Sequence, residues 1–221
     1  MSRKYDIVTF DCYGTLVDWE SGITDAFLRA ASEDGVELRR DEVLRAYARI
    51  EPVVERGRFR LYRDVLTETA SRVAHALGWP LASERGTFLV HSMASWKPFP
   101  DTNPALERLR DAGYALGILS NVDDDLLSAT RRHFTVDFDL IVTAQQVQSY
   151  KPGHAHFLTA KQQIGDRRWL HAAQSNFHDI APTNALGIPN AWVNRHDETG
   201  GAKPAYEVRD MAGLAELLLS S

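Results

Sequence analysis

Short apolar runs recur along the chain, and each closes on polar residues. Asp6 to Phe10 (Asp-Ile-Val-Thr-Phe) runs into Asp11-Cys12-Tyr13-Gly14-Thr15, and Tyr114 to Leu119 into Ser120-Asn121. Phe138 to Val142, Trp169 to Ala173 (closing on Gln174-Ser175-Asn176) and Ala191 to Asn194 repeat the layout, each flanked by helical periodicity. Strands that alternate with helices predict an α/β fold with a parallel sheet covered on both faces, in which ligands sit beyond the carboxyl ends of the strands. Gly14 lets the backbone turn sharply, so a carboxylate, Asp11, is set just past the first strand.

Between residues 18 and 95 the pattern changes to helical spacing over Ser21 to Ala31, Arg40 to Val54 and Arg60 to Leu77. A turn-rich Lys97-Pro98-Phe99-Pro100-Asp101 then leads into a helix over Asn103 to Ala112 and back to sheet-like sequence. The predicted organisation is a core of 1–17 plus 96–221, with 18–95 as a helical insertion after the first strand.

With 44% hydrophobic and 25% charged residues among 221, the chain can bury a good core, so disorder and fibrous structure are poor readings. The formal charge of -5 and the scatter of basic residues give no nucleic-acid footprint. Arg56, Arg58, Arg60 and Arg63 are closely spaced near a helix start, where a solvated face is the plainer reading than a phosphate patch. Cys12 is the single cysteine, which excludes an intramolecular disulfide and a multi-cysteine zinc site and fits a reducing cytoplasm. No apolar run approaches the ~20 residues of a membrane span, so no membrane partner is expected.

The strand ends and the turns near them gather Asp11, Thr15, Ser120, Asn121, Lys151, Asn176 and Asp179. A carboxylate nucleophile is weak in water, but desolvation, an ammonium and hydroxyl or amide donors make in-line attack feasible. Lys151 is the natural counter-charge, because Asp11 and Asp179 require a cation if both are to stay ionised. Each residue also has a plainer reading: Asp11 as a turn residue, Ser120 and Asn121 as caps of a helix beginning near Asp123, Lys151 as exposed, and Asp179 as a helix N-terminal charge.

The ordered set Asp11-Cys12-Tyr13-Gly14-Thr15-Leu16, Leu119-Ser120-Asn121, Tyr150-Lys151-Pro152 and Asn176 with Asp179 resembles the four motifs of the haloacid dehalogenase superfamily. The resemblance implies a Rossmann-like parallel core with a helical cap inserted after the first strand. Most members are magnesium-dependent phosphatases with a second Asp two residues after the nucleophile, where this chain has Tyr13, a poor acid at its ordinary pKa near 10. They also hold magnesium with two acids of the fourth motif, where this chain has Ser175 and Asp179.

Both departures look like those of the L-2-haloacid dehalogenases, which need no metal or other cofactor. That branch implies attack by Asp11 on a small acidic substrate, an (S)-2-haloalkanoate, and release of an (R)-2-hydroxy acid by water held at Asp179 near Lys151 and Asn176. Thr15 would orient the nucleophile, and Ser120 with the backbone near Tyr13 would bind the substrate carboxylate; Asn121, Ser175 and His178 are further pocket candidates. For the halide, Arg49 matches the cap arginine best and Arg45 is the substitute; pairing of Arg49 with Glu51 or another acid is the competing reading. Phe157, Gln174 and His178 depart from the known dehalogenases and point to an altered pocket, His178 being a general base, a donor or a packed ring. A phosphatase that uses another acid and a non-catalytic member of the fold stay open, as does a homodimer. The remaining histidines share no metal-ligand spacing, and the tryptophans read as packing.

Overall fold

The computed structural model describes residues 3–82 and 85–220. The sheet is built from β1 (Ile7–Phe10), β2 (Ala115–Ser120), β3 (Leu140–Thr143), β4 (Trp169–Ala173), β5 (Asn190–Val193) and β6 (Tyr206–Val208), in the order β3-β2-β1-β4-β5-β6. All five pairings are parallel, as expected of strands joined through helices. β1 sits in the middle, with Phe10 opposite Ile118 of β2 and Ala172 of β4. Its four residues are all buried, including Thr9, because helices cover both faces of a sheet of this kind. The carboxyl ends of β1, β2 and β4 therefore open side by side.

The sixth strand is absent from the sequence reading. Its three residues are half-buried or exposed and lie at the edge, too short for a period to be read. Its register, Trp192 opposite Glu207, comes from pairing with β5 rather than from local propensity.

The helices are α1 (Trp19–Glu33), α2 (Arg40–Glu55), α3 (Tyr62–Ala76), α4 (Phe88–Ser92), α5 (Thr102–Asp111), α6 (Asp124–Arg131), α7 (Ala144–Val147), α8 (Ala155–Ile164), α9 (Ala181–Ala185) and α10 (Met211–Leu219). A 3-10 turn covers Met93–Ser95, and a π-helical turn covers Asn176–Ile180. Among the described residues no helix is long and apolar enough to cross a membrane.

The chain divides into two compact units. One comprises Met1–Asp18, Pro98–Asn121 and Arg132–Ser221 and holds the sheet; the other, Trp19–Lys97 with Val122–Arg131, is helical. The second unit has its own core. Phe27 of α1 is fully buried and meets Phe88 edge-on at 5.0 Å, while the indole N–H of buried Trp79 donates to Asp34 at 2.9 Å. Burial of one such aromatic stabilises by roughly 1.5–3 kcal/mol.

The segment 122–131, expected in the core, groups with this helical unit. Asp123 is the reason: its carboxylate accepts from the backbone N–H groups of Tyr62 (2.7 Å) and Arg63 (3.1 Å) and from Arg63 Nε (3.0 Å), and so caps α3. Arg63 also pairs with Asp125, and Arg60 with Glu68 at 2.7 Å, which accounts for two of the clustered arginines as structural pairs.

Candidate active site

β1 ends where the chain folds back on itself. Gly14 takes a φ of 98°, a region closed to most side chains, and its N–H donates to the Val17 carbonyl at 2.8 Å while that of Leu16 donates to Cys12 at 2.8 Å. This loop returns Thr15 to the strand tip. Its hydroxyl donates to Asp11 Oδ2 at 3.0 Å and accepts from the backbone N–H of Gln174 at 2.9 Å, tying the end of β1 to the end of β4.

Lys151 reaches the same point from the loop between α7 and α8. Its main chain is gripped by Asn121, whose Oδ1 accepts from Lys151 N at 2.7 Å and whose Nδ2 donates to the Lys151 carbonyl at 3.0 Å. The ammonium nitrogen lies 2.8 Å from Asp11 Oδ1, 2.7 Å from Asp179 Oδ1 and 2.9 Å from the Leu119 carbonyl. Lysine has three donors, and all three are used at a nitrogen whose side chain is 1% exposed.

The electrostatics follow from this arrangement. Burial raises the pKa of Asp11, and the nearby Asp179 adds to the rise, against the pull of Lys151; the net is a carboxyl above its ordinary value. Asp179 feels the same burial, but Lys151 and His171 outweigh it and hold it below the ordinary value. For Lys151, burial opposes the charge, yet the two carboxylates win and raise its pKa. Asp11 is thus the more basic of two carboxylates that share one ammonium.

Asp179 is joined by a residue that the sequence reading set aside. His171 Nε2 lies 3.0 Å from Asp179 Oδ1, and His171 Nδ1 lies 2.8 Å from Thr9 Oγ1, which accepts from the indole N–H of Trp169 at 2.7 Å. The one signal in the sequence is that Thr9 and His171 are polar residues in the middle of apolar strands; that they stand directly opposite each other is set by the sheet.

The other candidates are placed as follows. Ser120 Oγ and Asp179 Oδ2 are buried and find no hydrogen-bond partner among the described residues. Ser175 Oγ accepts from His178 N at 3.1 Å and lies 3.0 Å from His178 Nδ1, whose imidazole burial keeps less readily protonated than usual. Tyr13 is half-buried in the loop beyond Asp11. Asn176, expected near the water at Asp179, turns its amide to Ala202, donating to its carbonyl at 2.9 Å and accepting from its N–H at 2.7 Å. Gln174 likewise turns outward, to Glu198 at 3.2 Å. Arg49 and Arg45 are exposed residues of α2 in the helical unit, and Arg45 pairs with Asp41 at 2.9 Å.

The model of a family described as haloacid dehalogenase-like hydrolase matches residues 5–175. An (S)-2-haloacid dehalogenase of Pseudomonas putida is 28% identical over 233 residues, covering 97% of this chain and 96% of the relative. A haloacetate dehalogenase of a Moraxella strain is 26% identical, with 98% and 99% covered. The fold is that of a defluorinating L-2-haloacid dehalogenase whose crystal structure aligns with a TM-score of 0.84 at 23% identity, over 97% of this chain and 95% of the other. An aspartate at the tip of the central strand, a lysine shared with a second aspartate and a family match over most of its length carry the same conclusion: the chain belongs to the haloacid dehalogenase-like hydrolases.

Proposed function

We propose that the protein is an (S)-2-haloacid dehalogenase-type hydrolase that turns a 2-haloalkanoate into an (R)-2-hydroxyalkanoate through an ester of Asp11. The observation that carries this is the Lys151 ammonium held between Asp11 and Asp179, with Thr15 on the other oxygen of Asp11. The Lys151 ammonium beside both carboxylates favours their charged forms without a metal, and burial, which raises the pKa of Asp11, makes it the better nucleophile of the two once ionised.

In the first step an oxygen of Asp11 attacks C2 from the rear; the carbon–oxygen bond forms as the carbon–halogen bond breaks, halide leaves with the bonding pair, and the carbon inverts. Ser120, with its buried hydroxyl, and the backbone beside Tyr13 receive the substrate carboxylate, with Ser175 and His178 lining the pocket. Arg49, with Arg45 as its substitute, is the arginine proposed to receive the halide. In the second step a water at the unpartnered Oδ2 of Asp179 gives up a proton to that carboxylate and attacks the ester carbonyl; the bond from that carbonyl carbon to the substrate oxygen breaks, the proton passes from Asp179 to the departing alkoxide, and the 2-hydroxy acid leaves with Asp11 and Asp179 restored. Asn121 contributes by fixing Lys151, and Asn176 by holding the loop at Ala202 beside the fourth motif.

Magnesium, which the phosphatases of the superfamily use, meets an unsuitable donor set here. Ser175 stands where a second carboxylate is needed and is engaged by His178, and among the described residues no group of three acids, histidines or cysteines is arranged for a metal. The buried free thiol of Cys12 fits a reducing, cytoplasmic setting.

Incubation with (S)-2-chloropropionate in EDTA is expected to release chloride and D-lactate. A single turnover in oxygen-18 water is expected to leave one labelled oxygen on Asp11. Phosphate release from small esters that depends on magnesium, with no halide from a broad haloacid panel, would replace this reading with the phosphatase one.

A further inference from the structure

We propose that His171 is a positioning residue for the hydrolytic half of the reaction, locked in one tautomer by a hydrogen-bonded wire from Trp169 through Thr9, so that it donates to Asp179 and aims that carboxylate's free oxygen at the attacking water. The inference rests on the aspartyl-ester reading above.

The direction of the wire follows from counting protons. An indole N–H can only donate, so the 2.7 Å contact makes Thr9 Oγ1 an acceptor from Trp169. Thr9 is fully buried, and among the described residues its hydroxyl has one other neighbour, His171 Nδ1 at 2.8 Å. The hydroxyl proton therefore points at Nδ1, since any other order strands it in the core without an acceptor. An Nδ1 that accepts carries no proton, which puts the ring proton on Nε2, 3.0 Å from Asp179 Oδ1.

The sheet makes this wire rigid. Ile7 lies opposite Trp169 and Thr9 opposite His171 in the β1–β4 ladder, so all three members stand on adjacent central strands. The rings of Phe157 and His171, both fully buried, pack edge to face at 5.3 Å and 85°, which holds the imidazole in place. Lys151 and His171 then converge on the same oxygen of Asp179, at 2.7 and 3.0 Å. Two donors on Oδ1 fix the carboxylate plane and leave Oδ2, buried and without a partner among the described residues, as the remaining acceptor. The ammonium alone would serve the charge; the second donor sets the angle. Among the described residues the hydrogen bonds of His171 go to Thr9 and Asp179 and not to Asp11, so its effect falls on hydrolysis of the ester rather than on attack at the substrate.

The test is single-turnover kinetics with (S)-2-chloropropionate, following by mass the peptide that contains Asp11, in wild type, His171→Leu, His171→Gln and Thr9→Val. In His171→Leu the ester is expected to form within about twofold of the wild-type rate but to decay at least about tenfold more slowly, so that it accumulates. His171→Gln, whose amide nitrogen stands near the position of Nε2, is expected to restore most of the decay, and Thr9→Val to lose part of it. Nitrogen-15 shifts of His171 in the wild-type protein are expected to report a protonated Nε2 and a bare Nδ1. Ester decay at the wild-type rate in His171→Leu, equal slowing of both steps in the Leu and Gln variants, or a protonated Nδ1 in wild type each overturns the proposal, and the last does so even if His171→Leu fails to fold. A wild-type Asp11 that is never esterified overturns the parent reading together with this one.

Discussion

Lys151 Nζ lies 2.7 Å from Asp179 Oδ1, and both side chains are 1% exposed. An ammonium so enclosed cannot be removed without stranding the carboxylates it serves. Lys151→Met is expected to cost about 3–5 kcal/mol, the usual penalty for leaving one side of a buried ion pair. Urea unfolding measures it, and a loss below about 1 kcal/mol would mean that the site takes in water freely.

Asn121 acts on Lys151 through the main chain, with contacts of 2.7 and 3.0 Å. Asn121→Ala is expected to lower kcat more than it changes KM, because it loosens the lysine rather than a substrate contact. Stability should fall by about 1–3 kcal/mol for two lost hydrogen bonds. A change confined to KM would mark Asn121 as a substrate ligand instead.

The shift of Asp11 fixes the sign of one pH effect. A nucleophile must be ionised, and burial has raised this carboxyl above its ordinary value, so activity is lost on acidification sooner than an ordinary aspartate would lose it. The acid limb of kcat/KM is therefore expected above ~3.9, the unperturbed aspartate value. Lys151, raised above its usual value, contributes no alkaline limb below the ordinary lysine range. A profile with its acid limb at or below the ordinary aspartate value would sink the assignment of Asp11.

Much of this site is legible in one dimension because its members stand at the ends of strands. A strand that stops at a Gly-containing turn places Asp11 and Thr15 without reference to anything distant, and Lys151 and Asp179 follow from the same order of motifs. The residues that escape are those whose partners are chosen by the fold. His171 and Thr9 meet across 162 positions, through a register no local pattern encodes. The amide of Asn176 is taken up by Ala202 because a later loop, carrying Gly200 and Gly201 at positive φ, folds over it. Asp123 reads as the start of its own helix, yet its carboxylate caps another one 60 residues earlier.

That glycine loop yields a sharp test. At Gly201 φ is +84°, and a Cβ added there would stand 2.4 Å from Asn176 Oδ1. Gly201→Ala is expected to destabilise the protein by about 1–3 kcal/mol through backbone strain and the clash. The melting temperature should fall by a few degrees for each kcal/mol, roughly 2–4 °C in a chain of this size. An unchanged melting temperature would show that the loop is free of Asn176.

Glu51 in α2 offers a pH test away from the chemistry. Burial raises its pKa to about 7, against a hydrogen bond from Tyr62 that lowers it. A carboxyl that binds its proton more tightly when folded favours the fold at low pH, and that advantage is lost as pH rises from the unfolded value of 4.5 through about 7. Glu51→Gln is expected to flatten the stability profile across this window by on the order of 2 kcal/mol, allowing for partial solvent access. Parallel profiles for wild type and variant would argue against the buried neutral acid.

Because α6 belongs with the helical unit while β2 and β3 on either side of it belong to the sheet, the polypeptide changes unit at four places rather than two. Transplanting 19–97 from a relative as a cassette would therefore sever Arg63 from Asp123 and deprive α6 of the turn at Met93–Ser95. A chimera that carries 122–131 along with its insert keeps those links, so recombination of these hydrolases succeeds or fails on where the third and fourth splices fall.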